Sequence, residues 1–287
     1  MIALVRRVAC LAALCALGAA FAACGADEAP RHHPVRGATD HPGSPSAIPG
    51  TPPIHAPVPD GLAPVFQKGP TRDKTVALTF DADMTADQGQ RADDGEAFDN
   101  PDLIDTLRDL EVPATVFMTG RWADQYPEEA RDIGEDQLFE VGNHSYSHYS
   151  FTRSCFGLPV LPEQQLRSDV ERAFTAIRKA GVPHVMPYFR FPGGCYDDRA
   201  LRAIAPLGVT VIQWDVVSGD ASTTDASRVA RQVLEGVRPG SVVVMHCTRS
   251  AAPVTEEAVR AVVPELRARG YRFVKVSQLI EASGRRR

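Results

Sequence analysis

The chain has 287 residues, of which 44% are hydrophobic and 23% charged, and 31 Lys and Arg stand against 36 Asp and Glu for a formal net charge of -5. Such a length and apolar content supply one large core or two small ones, so a globular protein with added segments is expected. The acidic balance, with a pI near 5.9, excludes a nucleic-acid binder, which needs a basic face to neutralise phosphates.

Residues 1–23 carry Arg6 and Arg7 ahead of an apolar stretch from Val8 to Phe21, the pattern of an export signal too short for a comfortable membrane span. The stretch ends "FAAC", which resembles the lipobox of bacterial prolipoproteins and makes Cys24 the expected lipidation site. A lipid on Cys24 tethers a chain to a membrane without threading it through; ordinary cleavage near Ala23 is the alternative. Residues 24–71 are rich in Pro, Gly, Ser and His with no hydrophobic period, so they are expected to be a disordered linker. His32, His33, His41 and His55 read as solvated linker residues rather than a metal-binding tract. The last residues, 284–287, form a basic tail.

From residue 72 to 283 short apolar runs alternate with amphipathic stretches. "TVALTF" (75–80) predicts a strand and "NPDLIDTLRDL" (100–110) a helix with Asn100 as N-cap and Pro101 in its first position. "ATVFMTG" (114–120) is the next strand, "RWADQYPEEARDIG" (121–134) one helix, and "FEVGNH" (139–144) a strand. A long helix follows within 162–181, its Leu166, Val170, Phe174 and Ile177 at helical spacing and Gly181 at its stop. "YFRF" (188–191), a helix at 197–205, "VTVIQW" (209–214), a helix within 225–237, "SVVVMH" (241–246), a helix within 255–270, "YRFVKV" (271–276) and a closing helix complete the series. Strand and helix alternate throughout, which predicts an α/β fold: a distorted (β/α) barrel of about seven parallel strands.

In such a barrel the loops after the strands gather at one mouth. Asp81 and Asp83 end the first strand, His144 and His148 follow "FEVGN", Arg190 ends "YFR", Asp220 follows "QWDVVSG" and His246 ends "SVVVM". His144 and His148 are four apart, so a helical turn would project both rings to one side, as a divalent metal needs. An Asp from another strand completes a two-His, one-carboxylate set with positions open for water and substrate.

With these residues in hand, 72–283 resembles the polysaccharide deacetylase family, carbohydrate esterase family 4. "TFDAD" resembles the family's TFDD, "HSYSH" its H-[ST]-x-x-H, "RFPGG" its R-x-P-Y-G, "SGDA" its D-x-x-D-W, and "VMH" its L-x-H. The resemblance implies metal-dependent removal of acetyl groups from a glycan, most often the N-acetyl of an amino sugar. It implies Asp81 as general base, His246 as general acid, Arg190 pairing with Asp81 and Asp220 with His246, and Asp215 as an alternative partner. His144, His148 and Asp83 would hold a divalent ion, zinc first, with cobalt, nickel or manganese as alternatives. The Gly193 N-H would steady the oxyanion, and Val244 would line the pocket for the acetyl methyl.

Three positions depart from the family. Ala82 occupies the place of the second acid, and Asp83 is expected to replace it, because an acid two residues on points to the same side of an extended segment as Asp81. Gly193 and Ala221 stand where the family has Tyr and Trp, which predicts a more open cleft. The acidic segment 87–100 reads as a solvated loop that would rim the cleft. Of the six Cys, Cys10 and Cys15 leave with the signal; Cys155 with Cys195, both in loops, is the expected disulfide, leaving Cys247 beside His246. The expected substrate is a polysaccharide of the cell wall: peptidoglycan first, chitin-like oligomers second, O-acetylated xylan third. A non-catalytic glycan-binding relative is the alternative class. A monomer is expected, exported to the outer face of the membrane as a lipoprotein or secreted.

Overall fold

The computed structural model describes residues 61–284 apart from Ala86. The expected signal peptide, Cys24, the linker up to residue 60 and the tail beyond Gly284 lie outside the described residues. Nine strands form one parallel sheet: β1 Val65–Phe66, β2 Thr75–Ala82, β3 Ala114–Met118, β4 Phe139–Asn143, β5 Val185–Phe189, β6 Thr210–Ile212, β7 Val216–Val217, β8 Ser241–His246 and β9 Arg272–Phe273. Their order is β1-β6-β5-β4-β3-β2-β8-β7, with β9 also on β2. β2, β3, β4 and β8 match the strands expected from sequence; β5 begins three residues before the expected run 188–191 and stops at Phe189, and the expected run 271–276 is strand only at β9, because α9 begins at Val276; β1, β7 and β9 are two residues each.

The sheet curls because one segment serves both of its ends. β6 bonds to β5 and β1, while β7, only four residues on, bonds to β8. The run expected as one strand, 209–214, is therefore shorter than anticipated, since residues 213–215 stride from one neighbour to the other. Gln213 donates its N-H to Phe66 and Asp215 to Val242. β1 lies inside the segment read as linker. Val65 and Phe66 pair with Val211 and Ile212, and the backbone bonds gained there offset the ordering entropy that composition alone takes as decisive.

Helices α1 Gly89–Asp93, α2 Pro101–Asp109, α3 Gly120–Gln125, α4 Pro127–Glu135, α5 Leu166–Lys179, α6 Asp198–Ile204, α7 Ala226–Gly236, α8 Thr255–Ala268 and α9 Val276–Gly284 surround the sheet sequence by sequence. None among the described residues is long and apolar enough to cross a membrane. α2 begins as expected: the Asn100 side chain accepts from the Leu103 N-H at 3.3 Å, and Pro101 follows it. The single helix expected over 121–134 is two, broken at Tyr126, because Pro127 has no N-H to continue the ladder and starts a new helix instead.

Alternation along each strand divides the interior into two layers. Val76, Leu78 and Phe80 of β2 pack outward with Leu103, Ile133, Val259 and other helix residues. Ala77 of β2, Phe117 of β3, Tyr188 of β5 and Val242 of β8 fill the inside of the curl. The inward set on β2 runs Ala77, Thr79, Asp81, so the same alternation that packs the core carries an acid to the C-terminal rim.

Candidate active site

Register decides which inward residues share a level. Asp81 is in register with Phe117 on one side and His246 on the other, so an acid and an imidazole stand side by side on neighbouring strands at the mouth. Each has its own buried partner. The Asp81 Oδ1 accepts from Arg190 Nη1 at 2.7 Å, and both side chains are buried. A surface ion pair at this position is thus ruled out by the fold itself.

Arg190 is a fully buried cation, a state that costs several kcal/mol unless compensated. Its Nε donates to the Ile212 carbonyl at 3.2 Å, and the Phe117 and Trp214 rings lie 4.1 and 5.3 Å from the guanidinium carbon. Burial still holds its pKa below the ordinary arginine value, against the opposing pull of Asp81. Phe117 can approach this closely because Gly142, beside it on β4, has no side chain: a Cβ there would meet the ring at 2.6 Å.

On the neighbouring strand, His246 Nδ1 lies 2.9 Å from Asp220 Oδ1. Asp220 is 1% exposed and takes four further bonds, from the His246 N-H, Thr255 Oγ1, Ser218 Oγ and the Ala221 N-H. Burial alone would lower the His246 pKa, but the Asp220 carboxylate outweighs it and pushes it up to about 10. Burial likewise opposes the ionised form of Asp220, yet His246 and these donors hold it below the usual carboxylate range. Asp215, the alternative partner, is elsewhere: it caps the start of β8 through the Val242 N-H at 2.7 Å and pairs with Lys68 at 2.9 Å.

The two histidines meet without a helix. Residues 144–148 form an irregular turn in which Ser145 and His148 have φ of +70° and +56°, and this replaces the helical turn expected from their spacing. Asn143 builds it: its side-chain oxygen accepts from the Ser145 N-H at 2.8 Å while its amide donates to the Val170 carbonyl of α5. Asp169 accepts from the Tyr146 N-H. The ring centroids end 5.0 Å apart, so the outcome matches the need although the route differs.

His144 Nδ1 lies 2.9 Å from the Arg190 carbonyl, an acceptor only, so Nδ1 carries the proton and Nε2 presents its lone pair to the site. That Nε2 faces Asp81 Oδ2 at 3.6 Å, and His148 Nε2 faces Asp83 Oδ2 at 3.4 Å. Both separations exceed a good hydrogen bond. They approach the roughly 3.4 Å between two ligand atoms that each lie ~2.1 Å from a tetrahedral ion. Burial lowers the His148 pKa to about 4, despite nearby Asp83, so its ring is neutral and able to ligate at neutral pH. Asp83, one residue beyond β2, accepts from the Thr248 hydroxyl and donates its own N-H to that oxygen at 3.1 Å. Burial raises its pKa, but His148, His246 and Thr248 more than reverse this and keep it ionised. Ala82 is wholly buried in the outer core. Among the described residues no three His, Cys, Asp or Glu side chains form a ready-made cage; the donors approach as two His and carboxylate pairs whose chemistry fits a divalent ion.

The remaining expected residues are close by. Gly193 has φ +63° and follows Arg190 on the loop after β5, and Val244 is 4% exposed, in register with Thr79 on the inward side of β8. Cys155 and Cys195 are joined as a disulfide, and Cys247 is free and buried. The acidic segment 87–100 contains α1 and touches the loop after His246, where the Ser250 N-H donates to the Ala97 carbonyl. Three contributors went unread in the sequence: Thr248, Asn143 and Thr255. Thr248 had a signal, since it lies two residues past His246 and so on the same side of an extended segment. Asn143 had a weaker one, since an Asn side chain readily accepts from the N-H two residues on, and Thr255 had none, because its partner Asp220 is distant in the chain.

The model of the polysaccharide deacetylase family matches residues 68–212. A chitooligosaccharide deacetylase of Bradyrhizobium is 28% identical over 218 residues, covering 72% of this chain and 90% of that protein. A peptidoglycan-N-acetylglucosamine deacetylase of Bacillus cereus is 26% identical over 222 residues, covering 76% and 73%. Among solved structures, a mutant, with restored enzymatic activity, of a carbohydrate esterase family 4 pseudoenzyme from Bacillus anthracis is 25% identical, with a TM-score of 0.61 over 76% of this chain and 71% of that one. With five motifs converging at one barrel mouth and half the chain matched, this protein belongs to the polysaccharide deacetylase family.

Proposed function

We propose that the protein is a metal-dependent deacetylase that hydrolyses the N-acetyl groups of amino sugars in a cell-wall glycan, peptidoglycan first and chitin-like oligomers second. The observation that carries this reading is the pair of adjacent couples: Asp81 held by Arg190, and His246 held by Asp220. A binding protein needs neither. Arg190 orients the Asp81 carboxylate as a proton acceptor, and Asp220 keeps His246 protonated so that it has a proton to give, which is the division of labour amide hydrolysis requires.

Asp83, His144 and His148 would hold the ion. When bound, a divalent ion polarises the acetyl carbonyl and lowers the pKa of a bound water. Asp81 would accept a proton from the attacking water as the water's oxygen adds to the carbonyl carbon, and Arg190 keeps the carboxylate oriented. The Gly193 N-H donates to the developing oxyanion. His246, with Nδ1 fixed by Asp220, delivers a proton from Nε2 to the sugar nitrogen, so the C-N bond breaks to give acetate and a free amine. The signal-like pattern of residues 1–23 and the lipobox-like "FAAC" ending at Cys24 support a place at the outer face of the membrane, as a lipoprotein or a secreted protein, where wall glycan is the nearest polymer.

Acetate release from wall glycan, chitooligosaccharide and acetylxylan, run with metal analysis of the purified protein, tests the reading. Release from amino-sugar glycan that follows metal content supports it. Release from acetylxylan alone makes it an O-acetyl esterase, and glycan binding without release makes it a non-catalytic relative.

A further inference from the structure

The family pattern has a tyrosine where this chain has Gly193, and the space that side chain would begin to fill is already taken. A Cβ on Gly193 would lie 2.6 Å from Cys155 Sγ, 3.3 Å from Phe156 Cδ2 and 3.5 Å from Leu158 Cδ1. The disulfide and a larger residue at 193 therefore exclude one another. What the disulfide brings to that spot is an aromatic ring from another loop.

That loop springs from the site. It leaves the turn at His148 and closes on itself where Ser150 bridges Val160: the Ser150 N-H donates to the Pro159 carbonyl at 2.7 Å, and the Leu161 N-H to the Ser150 carbonyl at 2.9 Å. Its base is anchored by Phe151, buried against Phe189 and Phe191, and by Arg199 donating to the Phe151 carbonyl. Its tip is a tight turn in which the Leu158 N-H donates to the Cys155 carbonyl at 2.9 Å, and both central residues, Phe156 and Gly157, have positive φ, +46° and +79°. Asn or Gly ordinarily takes the first of these positions, and a bulky side chain there is strained.

Phe156 is also 89% exposed, the most exposed of the large apolar side chains among the described residues. No ring pair there includes it, whereas Tyr196, after the other half-cystine, stacks on Phe191 at 5.7 Å and 15°. Neither core packing nor backbone preference accounts for a phenylalanine in a left-handed turn in water. A ligand would, because the Phe156 ring edge lies beside Gly193 and a pyranose ring presents an apolar face of C-H groups that stacks on an aromatic ring and covers the exposed area.

We propose that Phe156, held by the Cys155–Cys195 disulfide, is a sugar-stacking platform that binds the pyranose next to the one being deacetylated, in place of a side chain at position 193. The inference rests on the glycan reading above, and its test separates the two. Calorimetric titration of the purified protein with an N-acetylglucosamine tetramer should give a Kd about tenfold higher for Phe156→Ala than for wild type. Phe156→Trp should restore or tighten binding. A Cys155→Ser/Cys195→Ser variant, which keeps the ring but frees its loop, should weaken binding by about threefold. Phe156→Ala binding the tetramer within about twofold of wild type overturns the platform, as does a wild-type protein that binds no tetramer. Acetate release measured in parallel distinguishes the failures. Tetramer binding that depends on Phe156 without acetate release leaves the platform and removes the deacetylase reading; acetate release with no effect of Phe156→Ala does the reverse.

Discussion

The two ends of the barrel hold similar residue types to different ends. At the floor, around the N-terminal ends of the strands, two open cavities of about 490 and 560 Å³ are lined by charged and polar side chains such as Arg72, Asp73, Arg272, Lys275 and Glu135. At the mouth, Asp81, Arg190 and Asp220 are buried and each is bonded to a specific partner. Among the described residues, three of the four non-glycine residues with positive φ, Ser145, His148 and Phe156, also belong to the mouth. Open volume alone therefore does not mark the chemistry, since two cavities lie at the floor, whereas buried, partnered charge and backbone strain gather at the mouth. Strain and buried charge both cost stability, so their concentration at one end is the stronger sign of function.

This contrast can be broken by experiment. The largest effect is expected from Arg190→Met, which leaves Asp81 buried and unpaired; unfolding free energy should fall by about 3–5 kcal/mol, read by denaturant titration, and a loss below about 1 kcal/mol would refute the buried pair. Asp81→Asn should lower kcat for acetate release by about 10²–10⁴-fold while the protein still takes up metal through Asp83 and the histidines. Asp83→Asn should leave circular dichroism unchanged and strip metal on dialysis; retained metal would show that Asp83 is no ligand.

A finer test uses pH. With the His246 pKa raised to about 10, activity that needs its proton should persist into the alkaline range and fall above about pH 10. The stabilisation from its pairing is complete below the unfolded histidine value of about 6.5 and is lost as pH rises through the folded value. Asp220→Asn should move that alkaline limb down toward about 6.5 and lower acetate release at pH 8.5 by about 10²-fold. At the floor, Arg72→Ala should change stability by no more than about 0.5 kcal/mol and leave acetate release unaltered. A larger loss of activity there would mean that the floor takes part in function.

Much of the site was legible because its residues stand at the ends of apolar runs, and strand alternation is a local rule. Asp81 and Asp83 share a side for that reason, and Asp83 does come to face His148. The histidine turn was read less well: spacing of four suggested a helix, but Asn143 and Asp169, one of them on α5, impose another backbone. β1 was hidden in a Pro-rich stretch because two residues carry no periodicity, and its stability comes from β6.

The sequence by itself determined the alternation of strand and helix, the inward face of each strand, and the acids and imidazoles delivered to the strand ends, since these depend on neighbours two to four residues apart. Only the tertiary structure decided that Arg190 lies wholly buried between Asp81 and the Phe117 ring, that Asp220 rather than Asp215 holds His246, and that Phe156 lies beside Gly193. Those outcomes depend on strand register and on loop closures between residues 26 to 109 positions apart, and no local pattern encodes a distance of that kind.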